Sequence, residues 1–121
     1  MTNETDPIEI IRAPISRQHL KAVAELRFGD MVKAVVDIRR GLVAIGGELH
    51  ADEEHILLSD GSAQDDLWGI NLYPDVRDAS WLEFDSMINL RPSKGNRSRS
   101  VDDPAVQDTI RGIVDAFVVE A

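Results

Sequence analysis

"MVKAVVDIRRGLVAIGGELH", residues 31–50, sets the architecture of the whole chain. β-Branched and small apolar residues fill both halves around Arg40-Gly41, so the stretch reads as a β-hairpin. With Arg40-Gly41 as a two-residue turn, Ile38 faces Val43, Val36 faces Ile45, Ala34 faces Gly47 and Val32 faces Leu49. That side is wholly apolar. The other side sets Arg39 against Leu42, Asp37 against Ala44, Val35 against Gly46 and Lys33 against Glu48. A slip of one residue destroys this separation, which is what supports the register. A bulged three-residue turn is the alternative, because Arg-Gly is not the strongest primed-turn pair. On this facing, Val36→Asp is strongly destabilising and Asp37→Val is mild.

Outward from the hairpin, residues 8–11 read as a short strand. Ser16 is positioned as an N-cap, with Leu20, Val23, Ala24 and Leu26 following at helical spacing and Gly29 as the stop. "ADEEHILLSDG" reads as a short helix whose acids suit its N-terminal end, with Gly61 closing it. "LWGINLYP" alternates, with Trp68, Ile70 and Leu72 on one side and Gly69, Asn71 and Tyr73 on the other. "WLEFDSMINLRP" alternates too, putting Leu82, Phe84, Ile88 and Leu90 opposite Glu83, Asp85, Met87, Asn89 and Arg91. Asp103 caps and Pro104 opens a last helix with Val106, Ile110, Ile113, Val114, Phe117 and Val118 as its apolar stripe. The expected architecture is α+β. A largely antiparallel sheet of four to five strands has three helices covering one face, in one domain over 8–121 after a flexible lead-in at 1–7.

The chain carries a formal charge of -9 and no cysteine. Disulfides, thiolate metal sites and cysteine nucleophiles are thereby excluded, and a reducing, cytoplasmic setting is expected. No apolar run reaches the ~20 residues of a membrane helix. The acidity argues against general nucleic-acid binding. The charge is uneven, however. No Lys or Arg occurs from Gly41 to Val76, whereas Arg91, Lys94, Arg97 and Arg99 crowd into "RPSKGNRSRS" at 91–100.

Alternation places Lys33, Asp37, Arg39, Glu48 and His50 from the hairpin on the face away from the helices. Asn71, Tyr73, Glu83, Asp85, Asn89 and Arg91 join them there. Glu83 and Asp85 lie ~7 Å apart along one strand face, where such a pair can hold a divalent cation or act as acid and base. Glu48 and His50 are candidate partners of that pair in a metal site, and a divalent metal is the candidate cofactor. The bland alternative is a solvated face with ion pairs such as Lys33–Glu48. The cationic loop can fork onto a phosphate or carboxylate through Arg91, Lys94, Asn96, Arg97 and Arg99. It lacks the order of a Walker loop, and Asp102-Asp103 repels a phosphate from the helix that follows. Alternatively the loop neutralises acids of its own chain or of a second copy. Ser93, Ser98 and Ser100 have no His/Asp partners in view for a hydrolase triad.

"FGDMVKAVVDI", "GGELHADEE", "DLWGINLYP" and "EFDSMINLRPSKGNRSRSVDDP" resemble a family of small microbial proteins known only as domain of unknown function 5674, across roughly Ile10 to Val118. The resemblance implies no established reaction. It marks Glu48, His50, Asp66, Trp68, Asn71, Glu83, Asp85, Asn89, Arg91, Asn96 and Arg97 as lying in family motifs, with Trp68 on the core side. Three functions follow as expectations. The first is binding of an anionic small molecule or nucleotide, with Asn71, Asn89 and the loop as ligand contacts. The second is a metal-assisted phosphodiester hydrolase, with Glu83 and Asp85 as catalytic carboxylates. The third is a homodimer through the open face.

Overall fold

The computed structural model describes residues 8–120. The lead-in expected at 1–7 lies outside the described residues. The elements run β1 (Glu9–Ile11), β2 (Ile15–Ser16), α1 (Arg17–Arg27), β3 (Val32–Asp37), β4 (Leu42–Ile45), α2 (His50–Ser59), β5 (Leu67–Leu72), β6 (Leu82–Glu83), α3 (Pro104–Phe117) and β7 (Val118–Val119). The fold is α+β. Five antiparallel strands pair in the order β1-β4-β3-β5-β6, and β2 pairs with β7 in a small parallel sheet.

The helix ends follow from local chemistry. Ser16 Oγ accepts the His19 N–H at 3.0 Å, and Asp103 Oδ1 accepts that of Ala105 at 2.9 Å, with Pro104 in the first turn of α3. Leu20, Val23 and Ala24 of α1 and Ile110 and Val114 of α3 pack on Val32, Ala34, Val36, Val43, Ile45, Ile70 and Leu72. Leu26, expected on the same stripe, is exposed.

The hairpin register differs from the expected one by two residues: Ala34 pairs with Ile45, Val36 with Val43 and Asp37 with Leu42. Gly47 and Leu49 therefore lie beyond the strand. The reason is stereochemical. Either two-residue primed turn needs positive φ at its first central residue, and type I′ at the second as well. Gly41 adopts φ 67°, but among the described residues no non-glycine does, so Arg40 cannot take the other position. A four-residue loop forms instead, and Asp37 holds it. Its Oδ1 accepts the Arg39 and Arg40 N–H groups, each at 2.9 Å, and its Oδ2 accepts Ser62 Oγ–H at 2.6 Å. A shift of two residues keeps every side chain on its expected side, but it turns Asp37 from a surface residue into a fully buried one. Asp37→Val is accordingly severe rather than mild. Three donors lose their acceptor, and chemical denaturation should show a loss of about 2–4 kcal/mol.

Two further departures shape the site. First, α2 does not join the other helices. Its Leu57 packs with Val35, Ala44 and Leu67 on the opposite face, together with Ile10 and Ile88. The face expected to be open is thus partly roofed. Second, the strand expected through residue 91 stops at Glu83. Ser86 Oγ accepts the Ile88 N–H at 3.2 Å and starts a 3-10 turn, Met87–Asn89. The chain then folds back over β5.

Candidate functional site

Gly69 in β5 is where this return becomes possible. An ideal Cβ there would meet Ser86 Cβ and Oγ at 2.5 Å and His50 Cδ2 at 3.2 Å. The missing side chain makes room for a serine from one segment and a histidine from α2. The outward backbone groups of Gly69 have no strand beside them, and Asn89 takes a strand's place. Its Oδ1 accepts the Gly69 N–H at 2.8 Å, and its Nδ2 donates to the Gly69 carbonyl at 2.9 Å. Nδ2 also donates to the Arg99 carbonyl at 2.9 Å. Asn96 continues the lattice, its Nδ2 donating to the carbonyls of Asn89, Ser98 and Ser100 and its Oδ1 accepting the Asp102 N–H.

One step along the sheet, Lys33, Asn71 and Glu83 stand side by side across β3, β5 and β6. Asn71 Nδ2 donates to Glu83 Oε1 at 3.0 Å and to the Asp85 carbonyl at 3.3 Å. Tyr73 O–H donates to the same Glu83 oxygen at 2.9 Å. Burial and this carboxylate together push the Tyr73 phenol up to about 12. Asp85 Oδ1 accepts Arg99 Nε at 2.8 Å. A cavity of about 460 Å³ opens over this row. The start of α2, which has no side-chain cap, borders it at Leu49, His50 and Ala51, and Ser86, Met87 and Ile88 border it too.

His50 lies in the wall. One ring nitrogen, Nε2, stands 2.8 Å from the Ile70 carbonyl. A carbonyl only accepts, so Nε2 carries the hydrogen, and the neutral ring has its lone pair on Nδ1. Burial holds the ring below its ordinary value of 6.5, opposed mainly by the Ile70 bond, so the ring is neutral at pH 7.

The structure thus brings Asn71, Glu83, Asp85, Arg99 and His50 to one cavity, with Lys33, Tyr73 and Ser86. The other residues singled out from the sequence go elsewhere. Glu48 is exposed and pairs with Arg27 at 3.7 Å, not with Lys33. Among the described residues, no three His, Asp or Glu side chains gather as an ion's ligands would. Asn89 and Asn96 are buried and occupied by backbone. Arg91 lies 4.7 Å over the Trp68 ring and donates to the Ile88 and Leu67 carbonyls. Lys94 pairs with Asp65 at 3.1 Å. Arg97 makes its hydrogen bond through its backbone N–H, to Asp102 Oδ2 at 2.9 Å. The loop's cations largely serve acids and carbonyls of the same chain.

Residues 9–117 match the family described as Protein of unknown function (DUF5674). The chain belongs to this family. No curated protein and no solved structure matches it. In this DUF5674 chain, no helix among the described residues is long and apolar enough to cross a membrane. Ser86 and Gly69 are the site residues that sequence reading missed. A signal for Gly69 was present, since a glycine inside an alternating strand marks a close approach of other atoms.

Proposed function

We propose that this DUF5674 protein binds a small phosphate-bearing ligand in the cavity over Lys33, Asn71 and Glu83. The observation that carries the reading is that two cations, Lys33 and Arg99, border the same cavity as the uncapped start of a ten-residue helix. Helix N-terminal N–H groups favour anions by ~0.3–1 kcal/mol at exposed sites, and a cation in partial burial adds to this. The acids nearby balance the two cations without outweighing them: Arg99 is paired with Asp85, and Glu83, held by Asn71 and Tyr73, offsets Lys33, so the helix start and the mobility of the two long cations supply the preference for an anion. Arg99 is the loop's contribution to the site, whereas Arg91 and Lys94 are engaged elsewhere and the rest of the site lies on the sheet beneath. The lack of cysteine is consistent with a cytoplasmic setting.

Calorimetric titration with glycerol phosphate, beside glycerol as a neutral control, tests the reading. The phosphate ester should bind and raise the thermal midpoint, because mass action stabilises the fold by about 2.7 kcal/mol at a hundred times Kd. Lys33→Ala and Arg99→Ala should each weaken binding about tenfold, and high salt should weaken it in wild type. Binding that is insensitive to both substitutions and to salt would refute the cavity assignment.

A further inference from the structure

The rim of the cavity describes the rest of the ligand, on the reading above. Met87 is 63% exposed and Leu49 55%, and among the described large apolar side chains only Leu26 stands further into water. Both border the cavity, and half-buried Met31 borders it as well. Single exposed apolar side chains are ordinary, but three on one cavity form a surface. Met87 is set there by its neighbours. Buried Ser86 and Asn89 fix the 3-10 turn against β5, which leaves Met87 outward at the cavity. Leu49 is also the N-cap of α2, a position that favours Ser, Thr, Asp or Asn, whose oxygens accept the first N–H groups. Leucine leaves α2 without a side-chain cap and its own side chain in water. One ligand accounts for both unfavourable choices: an anion meets the N–H groups, and an apolar group attached to it meets the side chain. The floor, by contrast, has its neutral donors engaged within the protein. Tyr73 O–H and Asn71 Nδ2 donate to Glu83, and His50 Nε2 donates to the Ile70 carbonyl.

We propose that the ligand is a soluble phosphate monoester of a hydrocarbon alcohol, with its phosphate at the start of α2 and its hydrocarbon group against Met87, Leu49 and Met31. A flexible, polarisable thioether adapts to an aliphatic chain at little cost. Each methylene buried there tightens binding by up to about fourfold. A polyol in the same place would lay its hydroxyls on methyl and thioether groups that offer no hydrogen bond. A second copy of the chain and a lipid bilayer are the rival occupants of the rim.

The test titrates glycerol phosphate, propyl phosphate and hexyl phosphate calorimetrically into the wild-type chain, with hexanol as a phosphate-free control. Propyl phosphate should bind more tightly than glycerol phosphate. Hexyl phosphate should exceed propyl phosphate by about eightfold, the effect of half-burying three methylenes, and should exceed hexanol by at least about tenfold. Met87→Ser should cut the hexyl preference to about threefold or less while leaving the ligand-free thermal midpoint nearly unchanged. Leu49→Ser should raise that midpoint, because serine caps α2, yet weaken all three esters. A purely structural Leu49 would give the first effect without the second. Equal binding of the three esters overturns the hydrocarbon assignment and leaves the phosphate reading standing. Hexanol binding as tightly as hexyl phosphate, or failure of every ester to bind, overturns the phosphate reading and this proposal together. A hexyl preference untouched in both variants overturns the assignment to the rim. So does a dimer in sedimentation that Met87→Ser dissociates, or binding to phosphatidic acid vesicles without binding of the soluble esters. The wild-type series decides the matter even if a variant fails to fold.

Discussion

Gly69→Ala should lower the free energy of unfolding by about 3 kcal/mol, at the upper end of the overpacking range, and should abolish ligand binding. The added methyl would stand 2.5 Å from both Ser86 Cβ and Oγ. Rotating the serine relieves only the Oγ contact. Moving its Cβ means moving a backbone whose N–H is bound to the Arg99 carbonyl at 3.0 Å. That carbonyl also accepts from Asn89, so the displacement reaches the clamp on Gly69 itself. Alanine would gain ~0.4–1 kcal/mol by restricting the unfolded chain, which is too little to offset the clash. Gly112→Ala is the internal control. Gly112 sits in α3 with nothing within 4 Å of the place an added methyl would occupy, so alanine there should stabilise by ~0.5–1 kcal/mol. Urea midpoints that move the same way in both variants would remove the close-approach explanation.

Asn89→Ala should be at least as damaging, at about 3 kcal/mol or more. Asn89 is fully buried, and its amide serves both backbone groups of Gly69 and the Arg99 carbonyl. Truncation leaves both outward backbone groups of Gly69 without partners in a place no strand can reach, and takes from the Arg99 carbonyl one of its two donors. Asn89→Asp separates shape from chemistry. The acceptor for the Gly69 N–H survives, but an ionised carboxylate faces two carbonyls and cannot donate to either. Burial and those carbonyls favour the protonated form in the fold, so the folded pKa of the new carboxyl lies above its unfolded value. The variant should therefore gain stability as pH falls through that folded pKa, the reverse of an ordinary paired aspartate. A pH-independent deficit equal to that of Asn89→Ala would show that the donor half of the clamp contributes nothing.

The sequence was most legible where one residue acts on its neighbours. Ser16, Asp103 and Pro104 announce their helices because a cap needs only a side chain and the N–H groups beside it. The hairpin faces were readable from alternation, but the register was not, since it turns on whether Arg40 can adopt positive φ. The side taken by α2 was hidden because that helix has no single apolar stripe: Leu57 is buried, while Ile56 and Leu58 on either side of it are exposed. Strand period alone puts Asn71, Glu83 and Asp85 together, and the structure joins them to one cavity. Asn89 and Asn96 were misleading. Beside four cations they suggest ligand contacts, whereas the Asn89 amide replaces a missing strand and the Asn96 amide ties the returning segment to itself, roles that depend on a chain reversal no local pattern encodes.

An amide NMR titration of the wild-type chain with glycerol phosphate bears most directly on the cavity assignment, because it reports where the ligand sits as well as whether it binds. Saturable shifts are expected at Lys33, His50, Ala51, Asn71, Ser86 and Arg99. Lys94 and Arg97, in the outer part of the loop, should stay nearly still. Shifts confined to the loop, or no saturable shift at any residue bordering the cavity, would contradict the assignment.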